Sequence, residues 1–263
     1  MSKFIEVELL KIDTVAKAAE KIKGYVAEEK PLHIFVDKIQ YVTIFCHPEK
    51  LKELTVGFLL SEGVIKNVEE IARITFKNSN ICHVKLQPTI NLEARLKLAQ
   101  RFSRIITSAC GGPYQPQVVE NLKKIDSKLT VKAETIQQCM NNLNRMAETH
   151  RKTRGVHAAA IYNSEGKLHA FAEDVGRHNA VDKAIGICAL SNVNFSQCLL
   201  TSSGRLTGDI VLKTARVGIP ILASLTATLN SGINIAKEIN LTLISFAHGK
   251  SMNVYNAPER ILL

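Results

Sequence analysis

Alternation between short apolar segments and helix-length segments dominates the second half of the chain, and it limits the possible folds more than any other feature. An antiparallel strand pair is predicted over 156–162 and 168–172, with a turn over 163–166. The pattern then continues as helix 179–189, strand 198–201, helix 207–217, strand 219–223, helix 229–239 and strand 241–246. Apolar strands with helices between them are typical of a parallel sheet covered on both faces. Residues 155–263 are therefore predicted to form a three-layer α-β-α unit.

The first half of the chain predicts a smaller, β-rich lobe. Two hairpins are indicated over 32–45 and 71–86, and the apolar helix between them ends near Gly63. The other predicted elements are a short strand and a Lys-rich helix within the first thirty residues, a helix over 92–102 and a long helix over 130–151. We predict a boundary that separates an N-terminal β-rich lobe (1–128) from a helical connector and α/β domain (129–263).

The charge balance favours an anionic partner. Lysine and arginine total 34 against 24 acidic residues, a formal net charge of +10. Nucleic acid is not the expected partner, because the chain has no tryptophan and no basic run with interleaved aromatic residues. A phosphate-bearing small molecule would account for the positive charge as well as nucleic acid would.

The location expected from the sequence is the cytoplasm, away from membranes. No window approaches the roughly 20 apolar residues that cross a bilayer, and the first residues do not have the pattern of a signal peptide. The six cysteines are scattered and form no C-x-x-C pair, which favours a reducing compartment.

The segments that follow the predicted strands share small, hydroxyl and cationic residues, and ligands bind at such strand ends in open parallel sheets. These segments are 173–179, 202–207, 224–228 and 247–253, and the first two supply the candidate ligand residues Arg177, His178, Ser203 and Arg205. Small residues let amide groups approach an anion, and arginine offers two parallel hydrogen bonds to phosphate. One such turn alone is more often a plain helix cap. Because three of the four turns carry a cation or an imidazole, the sequence favours a phosphate-ligand site at this edge.

Several other titratable residues allow two interpretations. Asp174 and His178 lie four residues apart, as an acid–base pair would, but we favour Asp174 as a helix cap and His178 as a ligand or carbonyl contact. His150 and His157 are interpreted as structural. Glu62 is either a solvated helix end or a residue at the interface between the lobes.

Cys110 lies in the segment S-A-C-G-G-P over 108–113, which suits neither a helix nor a strand. Arg101 and Arg104 are near in sequence and would favour the thiolate. From the residues alone, a nucleophilic role and incidental placement remain equally open.

Seven motifs occur in an order that resembles the formate dehydrogenase accessory sulfurtransferase family (FdhD). They are V-A-E-E-K-P-L at 26–32, V-G-F-L-L-S-E-G at 56–63, G-V-H-A-A-A at 155–160, D-V-G-R-H-N-A-V-D-K at 174–183, S-S-G-R at 202–205, G-I-P-I-L-A-S at 218–224 and M-N-V-Y at 252–255. The resemblance runs from about residue 25 to the C-terminus, and the string at 174–183 is its most specific part.

The resemblance implies a fold like that of cytidine deaminases and a cytoplasmic homodimer. It implies that sulfur passes as a persulfide from a cysteine desulfurase to the bis(guanine dinucleotide) molybdenum cofactor, which formate dehydrogenase requires. Cys110 would carry the persulfide, and no tightly held metal is expected. The residues that would line the guanine dinucleotide end are Phe246, Ala247, His248, Gly249, Lys250 and Ser251.

Two departures from related patterns matter. The loop of the family usually reads C-G-x-C-G, and Pro113 stands where its second cysteine would be. The H-x-E and P-C-x-x-C patterns of zinc deaminases are absent at 178–180 and 201–204, which excludes deaminase chemistry. Two hypotheses remain: a sulfurtransferase that uses Cys110, and a non-catalytic chaperone that binds the molybdenum cofactor.

Overall fold

The computed structural model describes residues 4–95 and 123–263. The N-terminal elements are β1 (Ile5–Asp13), β2 (Ala18–Val26), β3 (Lys30–Val36), β4 (Ile39–Cys46), α1 (Leu51–Ser61), β5 (Ile71–Lys77) and β6 (Ile81–Leu86). The next elements are β7 (Val131–Lys132), α2 (Ala133–Met146), α3 (Glu148–Thr153), β8 (His157–Asn163), β9 (Leu168–Asp174) and α4 (Arg177–Leu190). The chain ends with β10 (Cys198–Ser202), α5 (Gly208–Arg216), β11 (Ile221–Ser224), α6 (Asn230–Ile239), β12 (Thr242–His248), β13 (Ser251–Asn256) and β14 (Ile261–Leu262).

The central sheet has six strands in the order β13-β12-β11-β10-β8-β9. Only β10, β11 and β12 are parallel to one another, and the remaining pairs are antiparallel. Successive strand residues face opposite sides. Accordingly, Ala160 and Leu199 pack in a core cluster with α2, and Ile161 and Leu200 pack in the cluster that contains α4, α5 and α6. The predicted three-layer α/β fold is confirmed, with its parallel part restricted to three strands. The likeness to cytidine deaminases stays a prediction.

A second sheet, in the order β4-β3-β6-β5, forms the β-rich part of the N-terminal half. Helix α1 joins it to the central sheet by packing against α4 at very short range. A Cβ atom at Gly57 would lie 1.7 Å from the Asp182 carbonyl oxygen, and one at Gly186 would lie 1.9 Å from that of Glu53. The larger core cluster includes Leu32 from β3 and extends without a break to α4. The boundary near residue 128 stays a prediction.

The predicted Lys-rich helix near residue 20 is wrong, because β1 and β2 form a separate antiparallel hairpin there. In β2, Ile22, Gly24 and Val26 alternate with Lys21 and Lys23, and a period of two belongs to a strand. The hairpin lies mostly in solvent, so its strand pairing rather than burial in the core defines it.

Two further element boundaries differ from the prediction. The long helix over 130–151 is divided at Ala147 into α2 and α3, and the Glu173 carboxylate accepts hydrogen bonds from the amides of Thr149 and His150 at the start of α3. Strand β12 continues to His248 and pairs with β13, so residues 246–251 belong to a hairpin. In the described part of the chain, no helix combines the length and the apolar character needed to cross a bilayer.

Candidate functional site

The predicted ligand segments meet at one edge of the central sheet. His157 at the start of β8 pairs with Asp174 at the end of β9, and Ser202 at the end of β10 pairs with Ser224 at the end of β11. Ser202 also pairs with Ala159, so all four strands present these ends on the same side. We call the group formed by His157, Arg177, His178, Ser203 and Arg205 the cationic edge.

Short contacts join the elements of the cationic edge. The Ser203 amide donates to the Ala158 carbonyl at 2.9 Å, and the Ala158 amide donates to Ser203 Oγ at 2.9 Å. Ser203 Oγ also lies 3.4 Å from His157 Nδ1. A Cβ atom at Gly204 would lie only 2.8 Å from Arg177 Cβ, so the loop after β10 touches the start of α4. This close approach places Arg177 next to the loop that carries Ser203 and Arg205.

The electrostatics at His157 show how the positive charges converge. Burial lowers the pKa of its imidazole below the ordinary value of 6.5, and Arg177, His150, His178 and Arg205 lower this pKa further. His157 is therefore held in its neutral form at neutral pH. A cluster that disfavours one more positive charge favours a negatively charged ligand.

Phe246 belongs to the same edge through a chain of hydrogen bonds. Ser224 Oγ donates to the Gly204 carbonyl at 2.7 Å and accepts from the Thr226 amide at 3.1 Å. The Phe246 amide donates in turn to the Thr226 carbonyl at 3.3 Å. The side chain of Phe246 is 41% exposed, and its φ of 49° is in the left-handed region. An exposed aromatic ring beside the phosphate candidates is available for a planar base.

The other residues of the predicted guanine segment separate into two groups. His248, Gly249, Lys250 and Ser251 are exposed at the turn between β12 and β13. Ala247 is fully buried and packs in the cluster under α2, so its side chain anchors the hairpin.

Asp174 and Lys183 form a fully buried ion pair of 2.6 Å below the edge. The Asp174 carboxylate also accepts hydrogen bonds from the amides of His47 and Gly176 and from Asn179 Nδ2. Asp174 therefore fixes the turn that leads into α4, but the prediction that it caps this helix is wrong, because Gly176 is the N-cap and has no side-chain cap. Asp174 does not pair with His178, whose Nε2 lies 3.8 Å from Asp209 Oδ2.

Glu62 lies at the interface between α1 and α5. Its carboxylate is 2.8 Å from Lys213 Nζ, which also bonds Ser61 Oγ at 2.9 Å and Asp182 Oδ2 at 2.9 Å. Burial raises the pKa of Glu62, but the charges of Lys213 and Arg216 outweigh it and hold this pKa below 4.5. Burial likewise lowers the pKa of Lys213, and Asp182 and Glu62 reverse the shift to a raised pKa. We conclude that Lys213 is protonated, although burial raises the pKa of its partner Asp182.

Residues 27–262 match the sequence model of the FdhD/NarQ family. The chain belongs to this family. The "Sulfur carrier protein FdhD" of Bacillus subtilis is 35% identical over 245 residues, which cover 92% of each chain. The protein of the same name from Saccharolobus solfataricus is 37% identical over 247 residues, which cover 92% of this chain and 93% of that one. These matches confirm the family resemblance.

A crystal structure assigned as a formate dehydrogenase accessory protein from Desulfotalea psychrophila has the same fold. The TM-score is 0.81 at 28% sequence identity, and the match covers 99% of this chain and 100% of that chain. The family match therefore includes the N-terminal sheet and the three-layer unit, whereas the β1–β2 hairpin precedes residue 27.

Cys110 lies outside the described residues. The five other cysteines of this FdhD/NarQ protein are all buried: Cys46, Cys82, Cys139, Cys188 and Cys198. Burial raises the thiol pKa of Cys139 to about 12 and that of Cys198 to about 11. Since the thiolate is the reactive form, these buried thiols are unsuited to nucleophilic chemistry.

Two features of the site lacked a clear local signal in the sequence. His157 begins a strand, and its charged surroundings come from α3, α4 and the loop after β10. Lys213 lies among apolar residues of α5, and its acceptors come from α1 and α4. The sequence contains one sign of this interaction: Lys213 occupies a core-facing position of its helix, and a buried lysine requires a carboxylate partner.

Proposed function

We propose that this FdhD/NarQ protein is a sulfurtransferase that carries sulfur as a persulfide on Cys110. The donor is a cysteine desulfurase, and the acceptor is the bis-guanine-dinucleotide molybdenum cofactor needed for formate dehydrogenase activity. The names of the relatives, sulfur carrier protein and formate dehydrogenase accessory protein, support this role. The proposal includes a cytoplasmic homodimer.

The burial of all five described cysteines is the observation that carries the proposal. A carrier needs one accessible thiolate, and Cys110 is the cysteine that remains for this task. Its thiolate attacks the outer sulfur of the donor persulfide. A new S–S bond forms at Cys110 while the old bond breaks, and the donor cysteine leaves as a thiolate.

The cationic edge supports a polyanionic acceptor. Arginine side chains such as those of Arg177 and Arg205 can donate two parallel hydrogen bonds to phosphate oxygens, and Ser203 adds a hydroxyl beside His157. Lys250 and the exposed ring of Phe246 extend the same edge toward a base. One end of a guanine dinucleotide needs both contacts to its phosphates and contacts to its base.

Labelled sulfur provides the direct test. The protein is incubated with a cysteine desulfurase and ³⁵S-cysteine, and bound label is measured under non-reducing conditions for wild type, Cys110→Ala and Cys198→Ala. We expect the Cys110 variant to lose the label, because no other thiol is reactive. The Cys198 variant, which removes a buried thiol, should retain it. Equal labelling of the Cys110 variant would contradict the proposal.

A second candidate function is a non-catalytic chaperone that binds the molybdenum cofactor. Pro113 favours it, because this residue occupies the position of the second loop cysteine of the family. Cells that carry only Cys110→Ala separate the two functions. Inactive formate dehydrogenase that still contains cofactor supports the sulfurtransferase, and a fully active enzyme supports the chaperone.

A further inference from the structure

The N-terminal sheet packs against the core with one side only. Alternate strand residues such as Leu32 of β3 and Val84 of β6 belong to the larger core cluster, and the residues between them point to the opposite side. We call this opposite side the outer face. It carries Phe45, His33, Phe35, His83, Lys85 and Arg73.

The outer face carries positive charge that its own strands do not compensate. Strands β3, β4, β5 and β6 contain no acidic residue. Arg73 and Lys85 are both exposed and occupy directly opposite positions of β5 and β6, where like charges destabilise a sheet. Among the described residues, neither side chain forms an ion pair. An anionic group that binds from outside would relieve this repulsion.

The acidic residues elsewhere in the chain leave the outer face basic. Residues 1–3 and 96–122 contain one acidic residue, Glu120, so they can compensate at most one of the cations. Asp37 and Glu69 lie beyond the ends of β3 and β5, and Lys38 follows Asp37 in the same turn. The margin of the face therefore has mixed charge, while the face itself favours an acidic partner.

The end of the outer face away from these cations is apolar. Phe45 pairs with Pro31, and its side chain is 61% exposed. Phe35 and His83 from neighbouring strands stack beside it with ring centroids 4.8 Å apart. Exposed aromatic rings are typical anchors of protein interfaces. Because the aromatic and basic residues occupy different ends of the face and do not alternate, the face suits a protein better than a nucleic acid strand.

The apolar end of the outer face adjoins the candidate site. Asn179 Nδ2 on α4 donates to the Phe45 carbonyl at 2.9 Å, and Arg177 and His178 of the cationic edge lie on the same helix turn. In the proposed function the cofactor occupies this edge, so the protein that supplies sulfur must dock beside it. Four strands offer a face of about 14 by 20 Å. Such a small area suits a transient complex, as a carrier requires.

We propose that the outer face docks the sulfur donor, a cysteine desulfurase, through an acidic patch of that enzyme next to an apolar side chain. The inference rests on the proposed function for the identity of the donor. Phe45 supplies the apolar contact beside the candidate site, and Arg73 and Lys85 supply the charge that selects an acidic surface. Docking there leaves the cationic edge open to the cofactor.

Lys85→Glu tests the basic end without weakening the fold. The variant places a carboxylate opposite Arg73, so a cross-strand ion pair replaces the repulsion and the free energy of unfolding should not fall. Binding to purified cysteine desulfurase is measured by biolayer interferometry at low and high salt. We expect the variant to raise the Kd at low salt about tenfold or more, and the wild-type Kd to rise with salt. An unchanged Kd in the variant would overturn the proposal.

Lys167→Glu is the matched control. It makes the same charge change at an exposed lysine in the turn between β8 and β9, at the end of these strands opposite the cationic edge. We expect its Kd to stay within about twofold of the wild-type value, because long-range attraction contributes little at physiological salt. Equal losses in both variants would overturn the proposal, since the net charge would then be the cause.

Phe45→Ala tests the apolar end. The ring is mostly exposed, so its removal should change stability little. We expect the Kd for the desulfurase to rise about fivefold or more, as for an aromatic anchor. Binding as tight as that of wild type would overturn the docking geometry proposed for this end.

Sulfur labelling separates this inference from the proposed function. Glutathione persulfide is a small donor that needs no docking surface. We expect Lys85→Glu to take up ³⁵S from it as wild type does, but to be labelled about fivefold more slowly or less by limiting desulfurase. If wild type takes up label from neither donor, the proposed function and this inference fail together. If the desulfurase labels both proteins equally, the proposed function stands and this inference fails.

Two other occupants of the outer face give different results. Apo-formate dehydrogenase and a single-stranded RNA oligonucleotide are each titrated with wild type, Lys85→Glu and Lys167→Glu. We expect the two variants to behave alike toward both. If Lys85→Glu selectively weakens binding of formate dehydrogenase or of the RNA but not of the desulfurase, that molecule is the occupant and the proposal is overturned.

Discussion

At the residue scale, buried ion pairs hold the candidate site in place from below. Asp174 and Lys183 are both fully buried, and Lys183 also donates to the carbonyl of His47, which follows β4. Together they connect the N-terminal sheet, the end of β9 and α4. A buried pair of this kind contributes little net stability, but removal of one partner leaves a charge without compensation. We infer that the pair selects one geometry for the turn before α4, and thereby for Arg177 and His178 at the start of this helix.

Replacement of Lys183 by Met tests this pair. The variant keeps most of the side-chain volume but leaves the Asp174 carboxylate buried without its counter-ion, so we expect a loss of about 3–5 kcal/mol in the free energy of unfolding. Urea denaturation measures the change. The double variant Lys183→Met with Asp174→Asn should recover part of the loss. A loss below about 1 kcal/mol in the single variant would contradict a buried ion pair.

At the element scale, the contact between α1 and α4 determines how the two sheets are arranged. Gly57 and Gly186 allow the two helix backbones to touch, since a Cβ at either position would overlap a carbonyl oxygen of the other helix. The glycines weaken each helix intrinsically, by about 1 kcal/mol relative to alanine. The close approach, not helix propensity, explains them. It also brings Ser61 and Glu62 to Lys213.

Gly57→Ala is expected to destabilise the protein by about 3 kcal/mol or more, because α1 must move away from the Asp182 carbonyl. The midpoint of guanidinium denaturation measures the effect. Gly208→Ala on α5 is the matched control: its added Cβ would meet side-chain atoms of Ile235 and Ser231 rather than backbone, so we expect a smaller loss than for Gly57→Ala. Similar losses in both variants would mean that helix contact is not the cause.

At the scale of the whole molecule, a net charge of +10 attracts anions everywhere on the surface. Selective binding requires that charges converge, and the cationic edge brings together side chains from α4, β8 and the loop after β10. Burial lowers the pKa of His157, and the nearby Arg177 and Arg205 lower it further, which shows that charges converge there.

Arg205→Ala and Arg73→Ala each remove one positive charge, the first at the cationic edge and the second far from it. Together they separate local binding from attraction by the net charge. Arg73 is exposed on β5 in the N-terminal sheet. We expect Arg205→Ala to weaken GDP binding about tenfold, as for one charge-assisted hydrogen bond, and Arg73→Ala to weaken it less than twofold. Calorimetry at low and high salt checks both values. Equal effects would indicate attraction by the global charge instead of a local site.

The sequence by itself determined the layered class of the fold and the position of the candidate site. Alternating apolar strands and helices over 155–263 predicted the three-layer unit, since burial of a sheet on both faces leaves a local pattern. The small and cationic residues after the strands predicted the edge, because adjacent strand ends must meet there. The string at 174–183 indicated the family, and the match of residues 27–262 to the family model confirmed it.

Only the tertiary structure decided the details that depend on partners far apart in the chain. The β1–β2 hairpin replaced a predicted helix: the alternation of Ile22 and Val26 with lysines in β2 fits a strand, but the pairing with β1 that stabilises it is seen only in the structure. The partners of Lys213 come from the end of α1 and from α4, and the lowered pKa of His157 depends on its burial and on groups from other elements. Electrostatic interactions depend on distance in space, whereas a sequence pattern reports only distance along the chain.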